Sequence, residues 1–190
     1  MSIIGKQAPK FSGQAASQGE IIDLKLDDYK GKWVVLFFYP LDFTFVCPTE
    51  IVAFNEHYED FQKCGAEVIG CSVDSVHTHL AYMRTPREQA GVGELKFPLL
   101  SDISRETSRA FDVLDGDVAL RGVFIIDPQG VCQAGIVNSG AVGRNVDEVL
   151  RTLKAYQHVA KHGGTCPADW KEGDQGMEKS LKGVAGHIGH

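Results

Sequence analysis

The hydrophobic pattern of the first third of the chain predicts a strand, a helix and a second strand. Residues 33–39 are apolar, rich in β-branched and aromatic side chains, and bounded by Gly31 and Pro40, which predicts a strand buried on both faces. Apolar residues then recur at spacings of three and four, which predicts one amphipathic helix that ends at Gly65. These residues are Ile51, Phe54, Tyr58 and Phe61. A second apolar run over 66–73 completes a strand–helix–strand unit, whose strands we expect to be parallel.

The rest of the chain adds strands and helices to this unit. The pattern predicts a strand pair over 11–26, a helix from Asp74 or Ser75 to Thr85, and a surface loop over 86–96. A short strand over 97–100 and a short helix from Asp102 or Ser104 to about Phe111 follow. The last elements are a turn at 115–116, a hairpin of strands 121–126 and 131–137, and a helix opened by Asn145. From Gly163 onward Gly, Lys, Asp and His dominate, which predicts an extended or partly disordered tail. Together these elements predict an α/β fold with a central sheet and helices on both of its faces.

Composition narrows the class of protein. The chain has 190 residues, of which 43% are hydrophobic, enough for one domain with an appendage. A net charge of −6 gives no reason to expect nucleic-acid or acidic-membrane binding. No apolar run approaches the roughly 18 residues of a membrane span, and the first residues lack a signal-peptide pattern. We therefore expect a cytoplasmic protein with no nucleic-acid and no membrane partner.

The cysteines favour redox chemistry over a disulfide scaffold. There are five, at positions 47, 64, 71, 132 and 166, an odd number in an expected reducing compartment. No two of them form C-x-x-C, so neither a zinc ribbon nor a thioredoxin-type dithiol is present. Cys64, Cys71 and Cys132 lie at a helix end or in apolar strands and are interpreted as structural.

Cys47 lies where the central strand passes into the predicted helix. The positive end of the helix dipole and unpaired backbone N–H groups at this place favour a thiolate. A thiolate there is suited to attack on a soft electrophile, for example oxidation to a sulfenic acid followed by disulfide formation. A structural cysteine is the alternative interpretation.

The residues around Cys47 support a reactive and mobile turn. Thr44 lies one helical turn earlier, so its hydroxyl could reach the sulfur or a bound ligand. The helix is capped either by Thr44, in which case Pro48 removes an early hydrogen bond, or by Cys47, in which case Pro48 takes the favoured first position. In both cases the turn is weakly tied to the helix and could unwind locally. Glu50 is an acidic residue near the helix N-terminus, where it interacts favourably with the helix dipole, and it could also orient an arginine.

Two segments carry a family resemblance. Pro40, Thr44 and Cys47, in the spacing P-x-x-x-T-x-x-C and followed directly by Pro-Thr-Glu, resemble the peroxidatic-cysteine motif of peroxiredoxins. Residues 163–170, GGTCPADW, resemble the resolving-cysteine segment of typical two-cysteine peroxiredoxins, the class that includes the peroxidase subunit of alkyl hydroperoxide reductase. Arg121 before VFIID and Arg144 in VGR match two arginine positions of the family.

The resemblance implies a fold, a domain organisation and an activity. The fold would be thioredoxin-like, with a peroxidase domain over 1–162 and a tail over 163–190 that carries the resolving cysteine. The activity would be reduction of hydrogen peroxide, organic hydroperoxides or peroxynitrite, without a metal or an organic cofactor. The partner would be a thioredoxin-type or flavoprotein disulfide reductase, and the chain would form a homodimer and a ring-shaped higher oligomer.

The resemblance also implies a role for each matched residue. Cys47 would attack the O–O bond and become a sulfenic acid, and Cys166 of a second subunit would condense with it to form a disulfide. Thr44 and Arg121 would hold the peroxide and stabilise the thiolate and the leaving oxygen. Pro40 would shield the pocket, and Glu50 and Arg144 would support the arrangement from outside.

Two departures from the family pattern predict comparatively high resistance to over-oxidation. Members that are readily inactivated carry a Gly-Gly-Leu-Gly loop and a Tyr-Phe pair in a C-terminal helix. Here residues 90–93 read AGVG, and residues 184–190 contain no Tyr-Phe pair. We therefore expect Cys166 to reach Cys47 without a packed C-terminal helix in the way.

Two other functions remain as alternatives. A thioredoxin-like disulfide oxidoreductase would require a second cysteine at position 50, where the chain has Glu50. A holdase chaperone activity of the oligomer could coexist with catalysis. His158 and His162, four residues apart, could bind a metal, but the sequence offers no third ligand, and they are interpreted as solvated.

Overall fold

The fold was analysed in a computed structural model that describes residues 2–189. The strands are β1 Ser12–Ser17, β2 Glu20–Lys25, β3 Trp33–Phe38, β4 Ala66–Ser72, β5 Leu99–Ser101, β6 Leu114–Asp115, β7 Val118–Ala119, β8 Arg121–Ile126 and β9 Cys132–Asn138. The α-helices are α1 Cys47–Glu56, α2 Tyr58–Lys63, α3 Val76–Arg84, α4 Glu106–Ala110, α5 Val146–His162 and α6 Leu181–Ile188. Short 3₁₀ helices cover Leu26–Tyr29 and Arg87–Gln89.

The strands form a seven-stranded mixed sheet with β3 near its centre. The order is β2-β1-β5-β4-β3-β8-β9. As predicted, β3 pairs in parallel with β4; its other neighbour, β8, is antiparallel. Consecutive side chains of a strand point to opposite faces, and every residue of 34–38 is buried, so both faces of β3 are covered. The mixed α/β class predicted from the sequence is confirmed, as are the strand pair β1–β2 and the hairpin β8–β9.

The predicted single helix over 51–61 is divided in two. His57 separates α1 from α2, with φ −88° and ψ 4°. The interruption is small, because the N–H groups of Asp60 and Phe61 both donate to the carbonyl of His57. Phe54 and Phe61 therefore still face the core, with ring centroids 6.0 Å apart. The predicted end at Gly65, with φ +63°, is confirmed.

The predicted surface loop over 86–96 is partly buried. Val92 and Leu95 have exposed fractions of 0% and 1%. The N–H of Val92 donates to the carbonyl of Tyr82, which ties the loop to α3. Two isolated apolar residues in a polar stretch have no period, so the sequence pattern could not place them in the core.

Helix caps and a small hairpin refine three other predictions. Ser75 caps α3 by accepting the N–H of Thr78, which selects one of the two residues proposed for this cap. The helix α4 begins later than predicted, at Glu106, and the Asp102 carboxylate accepts the N–H groups of its second and third residues. The predicted turn at 115–116 joins the two short strands β6 and β7.

The residues from Asp147 onward form a second compact unit, separate from the residues up to Val146. The prediction of an extended or disordered tail is wrong for this unit. Thr165 pairs with Met177 in an antiparallel bridge, Trp170 is 3% exposed, and α6 begins at a Ser180 cap. A C-terminal helix therefore exists, although none of its residues is buried. The proposed division at 162/163 between peroxidase domain and tail stays a prediction.

No helix within residues 2–189 is long and apolar enough to cross a membrane.

Candidate active site

Cys47 is the first residue of α1 and is fully buried. The helix cap is Val46, whose backbone is itself helical (φ −81°, ψ −35°) and whose side chain makes no capping bond. Both caps considered from the sequence, Thr44 and Cys47, are therefore wrong, and Pro48 takes the second helical position. The carbonyl of Val46 accepts the N–H groups of Thr49 and Glu50, at 3.1 and 3.3 Å. The sulfur thus lies at a helix N-terminus, where the dipole favours negative charge.

Arg121, from β8, lies directly beside the sulfur. Its Nη1 donates to Cys47 Sγ at 3.4 Å and to Glu50 Oε2 at 2.6 Å, and its Nε donates to the Gly140 carbonyl at 2.8 Å. Burial opposes the charge of this side chain, but its bonds to Cys47 and Glu50 outweigh burial and raise the pKa of Arg121 above its ordinary value. The Arg121 guanidinium therefore places a hydrogen-bond donor and a positive charge in contact with Sγ.

Glu50 joins Arg121 to a second arginine. Its Oε1 accepts the backbone N–H of Arg144 at 2.9 Å and the Nε of the same residue at 2.7 Å. Arg144 Nη1 also donates to the carbonyls of Phe38, at 2.7 Å, and Gly122, so it fixes both neighbouring strands. Burial lowers the pKa of Arg144, and the Glu50 carboxylate opposes that effect. The three charged side chains are almost completely buried, so each charge depends on the others.

Two further predicted residues, Pro40 and Thr44, lie in the loop between β3 and α1. Pro40 is half-buried just after β3. The hydroxyl of Thr44 donates to the Leu41 carbonyl at 2.9 Å rather than to the Cys47 sulfur. The structure therefore brings Arg121 and Glu50 to Cys47 and leaves Thr44 bonded to its own loop.

A buried polar cluster that the sequence pattern missed anchors this loop. The Asp42 carboxylate accepts the Tyr39 hydroxyl at 2.7 Å and lies 2.7 Å from His79 Nδ1. His79 Nε2 lies 3.2 Å from the Leu100 carbonyl, and the backbone N–H of Asp42 donates to Asp74. His77, two residues earlier on the same helix, is exposed. The sequence carries no local signal for the cluster, because Asp42 and His79 are separated by 37 positions.

The cluster leads to a stability prediction. Tyr39→Phe should lower the free energy of unfolding by about 1–3 kcal/mol, because the Asp42 carboxyl oxygen loses a buried donor. Burial, followed by the nearby Asp42, raises the pKa of Tyr39, so its hydroxyl is a donor throughout the ordinary pH range. Denaturant unfolding monitored by circular dichroism measures the change.

Tyr82→Phe is the matched control, because the Tyr82 hydroxyl is also buried but, within residues 2–189, has no hydrogen-bond partner of ordinary geometry and does not contact the Asp42 carboxylate. Loss of that hydroxyl should change the free energy of unfolding by less than about 0.5 kcal/mol or increase it. Equal losses in the two variants would contradict the role assigned to Tyr39.

Cys166 lies in the second unit, half-buried against α5. Its Sγ donates to the Ala155 carbonyl at 3.5 Å. Burial raises the pKa of the Cys166 thiol, and the positive charge of Arg151 opposes this. Cys71 and Cys132 are fully buried in strands, and burial raises their pKa values, to about 11 for Cys132. All five cysteines are free thiols in this structure.

The described residues contain no group of three or more metal-ligating side chains that could hold an ion. His158 and His162 contact each other, with ring centroids 4.5 Å apart, and His158 also contacts Trp170 at 5.1 Å. The rings therefore take part in packing within the second unit.

Comparison with known proteins identifies the class to which this site belongs. Residues 4–134 match the AhpC/TSA family, and residues 155–187 match the C-terminal domain of 1-Cys peroxiredoxin. The chain belongs to the AhpC/TSA family. Peroxiredoxin-2 of Rattus norvegicus is 53% identical over 180 residues, which cover 94% of this chain and 91% of that protein.

Solved structures agree with this assignment. The reduced 2-Cys peroxiredoxin of Plasmodium vivax superposes with a TM-score of 0.98 at 43% identity over 100% of both chains. Prx1a of Plasmodium yoelii, modified at the N-terminus, superposes with a TM-score of 0.80 at 46% identity over 89% of this chain and 99% of the other. The peroxiredoxin assignment and the thioredoxin-like fold made from the sequence are confirmed. The protein is a thiol-dependent peroxidase, and neither alternative function is favoured by these similarities.

Proposed function

We propose that Cys47 is the peroxidatic residue of this peroxiredoxin. Its thiolate attacks one oxygen of the peroxide, the O–O bond breaks, and the other oxygen leaves as hydroxide or alkoxide and takes up a proton. Cys47 becomes a sulfenic acid. The observation that carries the proposal is the contact of 3.4 Å between Arg121 Nη1 and the sulfur, because the same guanidinium can stabilise the thiolate and the negative charge that passes to the leaving oxygen.

Glu50 and Arg144 act as positioning residues in this proposal. One Glu50 oxygen accepts a hydrogen bond from Arg121 and the other accepts one from Arg144. The Arg121 guanidinium is therefore held in position beside Cys47. Pro40 shields the sulfur from the loop side. Thr44 bonds a peroxide oxygen after its hydroxyl turns away from the Leu41 carbonyl.

Cys166 of a second subunit is the resolving residue in the same proposal. Its thiol condenses with the Cys47 sulfenic acid: the S–O bond breaks, an S–S bond forms, and the oxygen leaves as water. A thioredoxin-type or flavoprotein reductase then reduces the disulfide. The 2-Cys designation of the Plasmodium vivax relative supports two reacting cysteines.

A homodimer follows from the intersubunit step, and assembly of such dimers into a ring is part of the proposal. The modified Plasmodium yoelii Prx1a, which is described as forming an artifactual octamer, supports assembly beyond a dimer. A cytoplasmic site of action is part of the proposal.

One gel experiment tests the assignment of the two cysteines. Protein treated with one equivalent of hydrogen peroxide should run as a disulfide-linked dimer on a non-reducing gel, and a reductant should return it to the monomer. Cys166→Ser should abolish the dimer while one turnover of peroxide consumption persists. Cys47→Ser should abolish both.

Cys64→Ser is the matched control, because Cys64 lies at the end of α2, outside both proposed positions. It should retain the dimer band and full peroxide consumption. Full peroxide turnover in Cys47→Ser would overturn the site assignment, and a monomeric band in the oxidised wild type would overturn the intersubunit step.

A further inference from the structure

Cys47, Glu50 and Phe54 lie on one face of α1. They follow one another at spacings of three and four residues, which places their side chains in one row along the helix. Arg121 contacts the first two members of this row, and Arg144 contacts the last two. The row therefore links the ring of Phe54 to the sulfur through two guanidinium groups and one carboxylate.

The charged part of this row contains two cations but only one carboxylate. Glu50 accepts Arg121 Nη1 on one oxygen, at 2.6 Å, and Arg144 Nε on the other, at 2.7 Å. While the Cys47 sulfur is uncharged, one positive charge has no carboxylate of its own. Both arginine side chains are almost completely buried, so water does not supply the missing compensation. A second source of negative potential beside Arg144 would therefore stabilise the whole group.

Phe37 and Phe54 supply that potential. Their rings are fully buried and stacked, with centroids 4.2 Å apart and 8° between the planes. Arg144 Cζ lies 5.5 Å from the Phe37 centroid and 6.0 Å from the Phe54 centroid, within the range of cation–π contacts. Arg144 Nη2 is buried and has no hydrogen-bond partner of ordinary geometry within residues 2–189. The ring pair therefore compensates the part of the guanidinium that carboxylate and carbonyl groups leave unpaired.

We propose that Phe37 and Phe54 form an aromatic platform for Arg144 and are positioning residues for the reaction at Cys47. They fix the Arg144 guanidinium by cation–π attraction, and the Glu50 carboxylate transmits this order to the second guanidinium, which contacts the sulfur. The inference rests on the proposed function, in which Cys47 attacks the peroxide. The rings act through the two arginines and not on the peroxide itself.

Stepwise fluorination of Phe54 tests the attraction while it keeps a ring in the core. Replacement by 4-fluoro-, 3,5-difluoro- and 3,4,5-trifluorophenylalanine progressively removes the negative potential of the ring face. The rate constant for oxidation of Cys47, measured by stopped flow in the first turnover, should fall at each step and be about ten-fold lower at the last, because the guanidinium beside the sulfur is less well positioned. Phe54→Leu, which has no ring, should lose at least as much.

A thermodynamic cycle with Arg144→Met measures the attraction independently of catalysis. Denaturant unfolding gives the folding equilibrium constant of each protein. Trifluorination of Phe54 should lower this constant about ten-fold when Arg144 is present, as expected for loss of a large part of a desolvated cation–π contact. In Arg144→Met the same fluorination should change the constant by less than about two-fold, because the cation beside the ring is gone.

Phe111 is the matched control position. Its ring is buried and packs against Phe38 and Phe124, with centroids 5.3 and 5.1 Å apart. Because Phe38 directly follows Phe37 on β3, these rings lie on the face of the sheet opposite to the aromatic platform. The same fluorination series at Phe111 therefore reports the effect of fluorine on aromatic packing alone. It should leave the rate of Cys47 oxidation within about two-fold of the wild-type rate.

The outcomes distinguish the aromatic platform from the proposed function. Full peroxide turnover in Cys47→Ser would overturn the proposed function itself. With Cys47 established as the reacting residue, a flat rate series at position 54 would overturn the platform alone. An equal decline in the Phe111 series, or an undiminished effect of fluorination in Arg144→Met, would also overturn it. If Arg144→Met does not fold, the two rate series decide between these outcomes without it.

Discussion

Arg121→Met should slow the oxidation of Cys47 by hydrogen peroxide by about 10²- to 10³-fold. Removal of one donor that stabilises developing negative charge in a buried site has this typical effect. The Arg121 side chain is 4% exposed, so no solvent molecule of comparable strength replaces it. The loss should fall on the oxidation step, because Arg121 contacts Cys47 and no residue of the second unit enters this part of the proposal. Stopped-flow measurement of the first turnover, before disulfide formation, gives the rate constant.

Two further variants define what Arg121 contributes. Arg121→Lys retains a positive charge but cannot reach Sγ, Glu50 and the Gly140 carbonyl together, so a loss of about 10-fold is expected. Arg109→Met, at an exposed position on α4, should leave the rate unchanged. If Arg121→Met oxidised within three-fold of the wild-type rate while folded, the guanidinium would have no part in the chemistry.

The elements and the nucleophile were predictable because their signals are local. The apolar run of residues 33–38 predicts a buried strand on any fold, and a cysteine at its junction with a helix predicts a thiolate. Arg121 is different. It lies 74 positions from Cys47, and by itself reads as a surface arginine at the start of a strand. Only the family resemblance singled it out, and the contact with Sγ then gave the physical reason.

The features that sequence reasoning missed depend on contacts between distant or sparse residues. The Tyr39–Asp42–His79 cluster consists of polar residues that become buried only when the loop after β3 meets α3, so no hydrophobic period marks it. The segment after Gly163 was predicted to be loose because it has few apolar residues. It is held instead by charged donors and one buried tryptophan, Trp170, which composition does not reveal.

This correction changes the expected basis of over-oxidation resistance. The sequence argument assumed that no packed C-terminal helix stands in the way of Cys166. The helix α6 is present, but none of its residues is buried, and the Cys166 segment is hydrogen-bonded to α5. Resistance to over-oxidation stays a prediction, and it now has to take into account that the Cys166 segment is hydrogen-bonded to α5. α6 contributes little within its own unit, since its apolar residues Leu181 and Ile188 are 91% and 73% exposed.

Glu50→Gln should lower the free energy of unfolding by about 3–5 kcal/mol, the range found when one partner of a buried ion pair is removed. Glu50 is the carboxylate that both Arg121 and Arg144 contact, and the side chains of the two arginines are 4% and 1% exposed. Glutamine keeps the shape but offers one acceptor oxygen and no charge, so two buried guanidinium groups face each other without compensation. Denaturant unfolding at pH 7 measures the loss, and the same variant should also oxidise more slowly because Arg121 is no longer held beside the sulfur.

Glu148→Gln is the matched control, because it makes the same chemical change in the first turn of a helix and also releases an arginine held by two bonds. The difference is exposure: the Glu148 and Arg151 side chains are 46% and 34% exposed, so the free energy of unfolding should change by less than about 1 kcal/mol. A large loss in Glu50→Gln beside a small one in Glu148→Gln would attribute the effect to burial of charge. Similar small losses in both would mean that water reaches the Arg121–Glu50–Arg144 group, and burial of these charges would then not explain their effect on stability.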